Sequence, residues 1–245
     1  MSDAKTITRI APASHGLEES ERHYVAVHVQ LARRLLPRQA SMLAYSTLRV
    51  LRQRDAAGGW HRRPEAWRFI VLRFDDAQDT VFPEDTRRRT ADDHRNCLRD
   101  LRRTNVDEDV RLDRLCGQTA LQSYLIEIDR REAGEDPRAE IEAVVSALVG
   151  AGGRVGGLRR VTYNKVLSET ETEALDEPGQ LLTSRLLEDT DKLAYVEVVV
   201  DDAHFGRELF ADAAVETAVL ACERVARCRV YEVDEACGFD RRPRT

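Results

Sequence analysis

Three groups of side chains in this 245-residue chain have the types and spacing that chemistry uses. Asp75, Asp76 and Asp79 follow the apolar run Trp67-Arg-Phe-Ile-Val-Leu-Arg-Phe74. Carboxylates at the end of a strand hold Mg²⁺ in phosphoryl- and nucleotidyl-transfer sites, because that ion takes hard oxygen ligands and substrate phosphates. The plainer alternative is an acidic solvated turn. His94 and Cys97 stand three residues apart, a spacing that presents an imidazole and a thiol on one helix face, as zinc requires. His23, His28, His61 and Cys116 are the remaining loose candidates for such a site; the plainer alternative is an ordinary histidine and a core cysteine. Arg88, Arg95, Arg99 and Arg102, flanked by Arg87, Arg89 and Arg103, make a basic face that could contact phosphates. Asp92 is spaced to pair with Arg88 and Arg95 and aromatic stacking residues are missing nearby, which favours a salt-bridged solvated face and makes nucleic acid an unlikely partner. No Gly-x-Ser-x-Gly elbow and no recognisable catalytic histidine spacing occurs.

Composition narrows the setting of these groups. Five scattered cysteines fit reduced thiols better than a disulfide framework. No apolar run reaches membrane-spanning length, and Met1–Ser14 lacks a signal-type apolar core, so a cytoplasmic protein is expected. Only Lys5, Lys165 and Lys192 are lysines among 38 basic residues, a bias attributable to genome composition. Residues 1–118 carry 22 basic and 18 acidic side chains and residues 119–245 carry 16 and 26. That step in charge suggests two domains, 1–117 and 118–245.

The elements that position these groups are clearest in the second half. Tyr124-Leu-Ile-Glu-Ile-Asp129 alternates as a strand does. Asp136-Pro137 opens a helix carrying Ile141, Val144, Val145 and Leu148 at helical spacing. The glycines of Gly152-Gly-Arg-Val-Gly-Gly157 follow a helix and open a strand. That is the reverse of a phosphate-binding loop, so they read as a helix cap and a turn. A strand over Val155–Val166, a near-continuous apolar strand Leu193–Val200, one helix over Ala203–Ala226 and a last strand Cys228–Val233 complete the order. This β-α-β, β-α-β sequence predicts a ferredoxin-like α+β domain, with a long loop at about 167–192 between its second and third strands. The loop following the first strand has no cysteine pair for carrying a metal, and the first and third strands supply only Tyr124 and Tyr195 for stacking on RNA. An open sheet leaves a bare face and two edges, which predicts a homo-oligomer or cover from the first half.

In the first half, Tyr24–Leu31 alternates and is expected as a strand, with one helix over Leu17–Leu36 as the alternative. Ser41–Arg54 and Thr90–Arg103 are expected as helices and Trp67–Phe74 as a strand. This half is expected to be a second α+β unit or a lid.

Tyr195-Val-Glu-Val-Val-Val-Asp-Asp202, Arg229-Val-Tyr-Glu-Val-Asp-Glu-Ala236 and the long loop between the second and third strands resemble the PII-like signalling proteins. The resemblance covers the C-terminal half. Where the nucleotide binders of that family carry Gly-Asp-Gly-Lys, this chain has Val225-Ala-Arg-Cys-Arg229, so the phosphate cradle is missing. The resemblance implies a ligand-responsive regulatory protein whose loop orders on binding a small anion and contacts a protein partner. It places Arg159, Arg160, Tyr163, Asn164, Lys165 and Arg185 around the ligand. The alternatives are a Mg²⁺-dependent transferase at Asp75, Asp76 and Asp79, and an interaction protein using the Arg88–Arg103 face. No particular cofactor is implied.

Overall fold

A computed structural model describes residues 4–55, 59–75, 81–116, 121–132, 136–173 and 184–241. In chain order the elements are β1 (Ala4–Pro12), α1 (Leu17–His23), a π-helical turn (Tyr24–His28), α2 (Val29–Leu35), a 3₁₀ turn (Leu36–Arg38), β2 (Met42–Asp55), β3 (Trp60–His61), β4 (Arg68–Phe74), α3 (Glu84–His94) and β5 (Leu98–Asp113). There follow β6 (Gln122–Arg130), α4 (Arg138–Val155), β7 (Leu158–Glu173), β8 (Ser184–Leu186), β9 (Lys192–Val200), α5 (Ala203–Ala211), α6 (Ala213–Val225) and β10 (Ala226–Asp240).

Eight strands close on themselves in the order β10-β6-β9-β7-β5-β1-β4-β2, and β2 pairs back to β10, every pairing antiparallel. Short β3 and β8 extend β2 and β7. The expected ferredoxin-like domain beside a separate α+β unit is therefore corrected to one closed antiparallel barrel. The physical reason lies at the edges. An open four-stranded C-terminal sheet would leave β7 and β10 with unpaired backbone groups; here β7 runs along β5 from Arg160 to Glu173, and β10 runs along β2 from Arg229 to Asp240. Closure satisfies both edges at once.

Alternation along each strand divides the side chains between two cores. Ile126, Ile128, Val161, Val196, Val198 and Val230 face outward and pack under α4, α5 and α6 with Ile141, Val144, Leu148, Leu209 and Val219. On the other side Ile7, Leu48, Val50, Phe69, Val71, Val106, Leu125, Tyr195, Tyr231 and Val233 fill the lumen. Two smaller clusters seat α2 and the π-helical turn on the outside, around Tyr45, Leu72 and Phe74 and around Ile10, Tyr24 and Trp67. The predicted single helix over Ala203–Ala226 is two helices: Asp212 turns extended, and its carboxylate caps α6 by accepting from the Ala214 and Val215 amides at 3.0 and 3.4 Å.

Three expectations for the first half change. Tyr24–Leu31 is helical, with Tyr24, His28, Ala32 and Leu35 buried at helical spacing while Val25 and Val27 face solvent. Ser41–Arg54 is strand β2, not a helix. Both of its faces are covered, Tyr45 outside and Leu48 and Val50 inside, so its apolar residues do not alternate cleanly and mimic a helical stripe. The helix expected over Thr90–Arg103 ends at His94, and β5 takes the rest between β1 and β7. Among the described residues, no helix is long and apolar enough to cross a membrane.

Candidate active site

The lumen is polar at both ends of its apolar middle. At one end Glu127, fully buried, accepts from Lys192 at 2.6 Å, from Tyr231 at 3.0 Å and from Arg9 at 3.3 Å, and pairs with Arg229 at 3.0 Å. Asp129 also contacts Lys192 and Arg229. Burial alone would raise the Glu127 carboxyl, but these cations hold it below the usual carboxylate range. The charges at this end are compensated by one another.

The other end is open. A cavity of about 90 Å³ is lined by Leu48, Val71, Val199 and Val233 and by Ser46, Arg73, Ser123, Arg160, Thr162, Glu197 and Glu235. Lys5, which is 3 % exposed, bonds Glu108 at 2.7 Å and also contacts Glu197; Arg73 forms a two-pronged pair with Glu108. Burial pushes the Glu108 carboxyl up, yet the Arg73 hydrogen bonds and the Lys5 charge overcome it and bring it down to about 2. Glu197 is lowered for the same reason, with Lys5 and Arg73 outweighing burial. Asn164 donates to Glu197 at 3.3 Å, while its own Oδ1 and the Thr162 hydroxyl are shielded from solvent and have no partner. Thr162 lines the cavity and Asn164 stands behind it against Glu197, so the orphaned hydroxyl at the wall is a place for a hydrogen-bonding ligand.

Strand parity accounts for this assembly. Lys5, Arg73, Glu108, Asn164 and Glu197 occupy lumen-facing positions on β1, β4, β5, β7 and β9, and the pairings Lys5–Arg73 and Lys5–Val106 bring the first three together. The six residues expected around a ligand separate. Arg160 and Asn164 reach the lumen end. Tyr163 and Lys165 face the outside, in a groove with Arg130 and Arg138. Arg159 is held by Asp201 at 2.5 and 2.6 Å, and Arg185 on β8 pairs with Glu171 at 3.1 Å.

The other sequence candidates also scatter. Asp75 follows β4, its amide donating to the Ser41 carbonyl at 2.8 Å, whereas Asp76 and Asp79 lie outside the described residues. The expected arginine stripe is divided between α3 and β5. There Arg88 pairs with Glu84 at 2.6 Å, Arg95 with Asp92 at 2.6 Å and Arg102 with Glu171 at 3.1 Å. Sequence reasoning missed Lys5, Arg73, Glu108 and Glu197. A signal was present: each is a charge inside a run that otherwise alternates as a half-buried strand, most plainly Glu197 in Tyr195-Val-Glu-Val-Val199.

Solved structures share this fold. One, described as a "putative monooxygenase" from Fusobacterium nucleatum, aligns over 97 % of this chain and 96 % of its own with a TM-score of 0.59 and 10 % identity. An anthrone oxidase-like protein aligns over 100 % and 97 %, also with a TM-score of 0.59 and 10 % identity. A third, described in the same words as the first and from Lactobacillus acidophilus, gives 98 %, 97 %, 0.50 and 10 %. No family model matches the chain, and no curated protein matches it in sequence. At such identity the likeness establishes the fold. It overturns the PII-like resemblance, whose motifs Tyr195–Asp202 and Arg229–Ala236 lie on barrel strands β9 and β10 and the turn after β9. The regulatory reading falls with it: the supposed loop begins as β7, paired with β5 as far as Glu173, and β8 returns along it. Residues 174–183 lie outside the described residues. The arginines of the nucleic-acid alternative are divided between α3 and β5 and held in ion pairs, and of the transferase carboxylates only Asp75 lies within the described residues.

Proposed function

We propose that this protein is an enzyme that oxidises a small organic molecule bearing an acidic C–H or O–H group, at the Lys5–Arg73 end of the lumen. The observation that carries the reading is the cavity lined by Arg73, Glu197 and the unpartnered Thr162 hydroxyl, with Lys5, Glu108 and the unpartnered Asn164 oxygen bonded to that wall from behind. Buried charge clusters cost stability and are concentrated at functional sites. The names of the structural neighbours support the same reaction class.

The charges suit a substrate that reacts as its anion. The oxygen of a neutral enol, phenol or activated carbonyl entering the cavity competes with Glu197 for Lys5, and the low local dielectric strengthens that attraction as the anion forms. Glu197, once stripped of its counter-charge, becomes a stronger proton acceptor and can take the substrate proton. For an activated methylene the balance closes with dioxygen alone: two C–H bonds break, the carbon loses four electrons, one oxygen atom becomes the carbonyl and the other leaves as water. A cavity of about 90 Å³ is below the roughly 150 Å³ that encloses benzene. The reacting edge of the substrate therefore enters while the remainder sits at the mouth.

The test is oxygen uptake with a panel of β-dicarbonyls, hydroquinones and anthrones, with isotopically labelled dioxygen to follow the oxygen atom into product. Uptake that falls about 100-fold in Lys5→Met while circular dichroism is unchanged is expected. Uptake that is indifferent to both Lys5→Met and Thr162→Val, or no uptake with any class, counts against the reading.

A further inference from the structure

Outside the lumen, a second cluster is built where α1 and the π-helical turn meet the end of α3. Asp93, 8 % exposed, spans two histidines: Oδ1 meets His23 Nε2 at 2.7 Å and Oδ2 meets His28 Nδ1 at 2.6 Å. Cys97 is fully buried beside them. One ligand atom each from His23, Asp93 and Cys97 lies within 4.8 Å of the other two. The His94 ring stands 5.0 Å from that of His28, and its Nδ1 is shielded and without a partner, although part of the ring reaches the surface.

We infer that His23 Nε2, Asp93 Oδ1 and Cys97 Sγ form a zinc site, with His28 holding the carboxylate and solvent completing the tetrahedron. Imidazole, carboxylate and thiolate are together the donor set of that borderline-soft ion. Tetrahedral bonds of roughly 2.0 Å to N and O and roughly 2.3 Å to S place ligand atoms about 3.3–3.7 Å apart. His23 and Asp93 therefore open by less than about 1 Å to admit the ion. His28 bonded to the outer carboxylate oxygen is the support that orients a ligand. His23 is partly exposed and provides the entry path and the open fourth position. A π-helical turn between the two histidines is a second mark, since such turns occur frequently at functional sites. On binding, the Cys97 thiol releases its proton to solvent as the sulfur–metal bond forms.

The sequence pointed to His94 and Cys97 as a pair. In the fold Asp93 takes the place at Cys97 expected of His94, and His23 and His28 arrive from α1 and the π-helical turn. His61 and Cys116 do not: His61 pairs with Asp55 at 3.4 Å, and Cys116 is exposed.

Tag-free full-length protein titrated with Co²⁺ and Zn²⁺ tests the inference without any assay of catalysis. One equivalent of Co²⁺ is expected to produce tetrahedral d–d bands and a thiolate-to-cobalt charge-transfer band, both displaced by Zn²⁺. Cys97→Ser is expected to abolish the charge-transfer band, and His23→Gln to weaken Zn²⁺ binding at least about 100-fold. His28→Gln, which removes only the support, is expected to weaken it about 10- to 100-fold. Wild-type protein that gives no thiolate band with stoichiometric Co²⁺ overturns the site, whatever the variants do. So does Zn²⁺ affinity unchanged in folded His23→Gln and Cys97→Ser.

Discussion

Glu108→Gln isolates the electrostatics of the lumen end, because the substitution keeps shape and removes charge. Glu108 is held at about 2, against an ordinary 4.5, by Arg73 and Lys5 acting against burial. A depression of that size is worth on the order of 3 kcal/mol at neutral pH. The side chain is 19 % exposed, so solvent screens a part of it. The mutational expectation for breaking a buried ion pair, about 3–5 kcal/mol, is similar, since Arg73 loses its close partner. The sign follows from linkage. A folded-state value below the unfolded one stabilises fully above about pH 4.5, and that contribution disappears as pH falls toward 2. The difference between wild type and Glu108→Gln should therefore be about 3 kcal/mol near pH 7 and shrink to about 1 kcal/mol near pH 3. Guanidinium unfolding at the two pH values, followed by both tryptophan fluorescence and circular dichroism, measures it, provided the slope with denaturant is shared. An equal difference at both pH values, or one below about 0.5 kcal/mol at neutral pH, would refute the assignment of the depressed carboxyl to Glu108.

Packing and capping give further checks. A Cβ on Gly206 would stand 2.2 Å from the Tyr124 hydroxyl, on a ring already packed against Trp60 and Phe210. Gly206→Ala should lose about 1–3 kcal/mol despite its better helix propensity, seen as a lower melting temperature; a stabilised variant would show that the α5–β6 contact is loose. Leu148→Ala, at a fully buried position under the sheet, should cost about 2–5 kcal/mol in denaturant unfolding. Asp202→Ala removes the cap that accepts from the His204 and Phe205 amides at 2.7 and 3.1 Å and should cost about 1 kcal/mol, with hydrogen exchange rising in the first turn of α5 before anywhere else.

The C-terminal elements were legible because their periods are strong. Tyr124–Asp129 alternates cleanly, and Ile141, Val144, Val145 and Leu148 make one stripe. Closure was not legible. Nothing local in β2 or β10 records that Val233 lies opposite Val50, or that β7 continues along β5 past Lys165. Such pairing is written in the mutual fit of segments some 180 residues apart, and local propensity says nothing about it. The same gap explains the errors around Tyr24 and Ser41. The valines at 25 and 27 copy a strand's period while facing solvent, and β2, covered on both faces, copies a helix.

The lysines carry a mark of the lumen in the sequence itself. Among 38 basic residues three are lysines, and the bias was attributable to genome composition. Lys165 is exposed, but Lys5 and Lys192 are 3 % and 7 % exposed and stand in opposite ends of the lumen, each against two carboxylates. Arg73 at one end and Arg9 and Arg229 at the other already fork onto the same carboxylates, so a further planar five-donor group at either lysine lacks partners and room, whereas an ammonium is a compact point charge on a slender stem. In a chain that otherwise writes arginine, a lysine at an inward strand position thus marks a place where size and hydrogen-bond geometry forbid the larger cation. Lys5→Arg and Lys192→Arg turn this argument into a measurement. Both preserve charge, so a purely electrostatic requirement leaves stability unchanged, while the steric one predicts a loss of about 1–3 kcal/mol from overpacking at each end. Unfolding energies equal to wild type in both variants would return the lysine bias to composition alone.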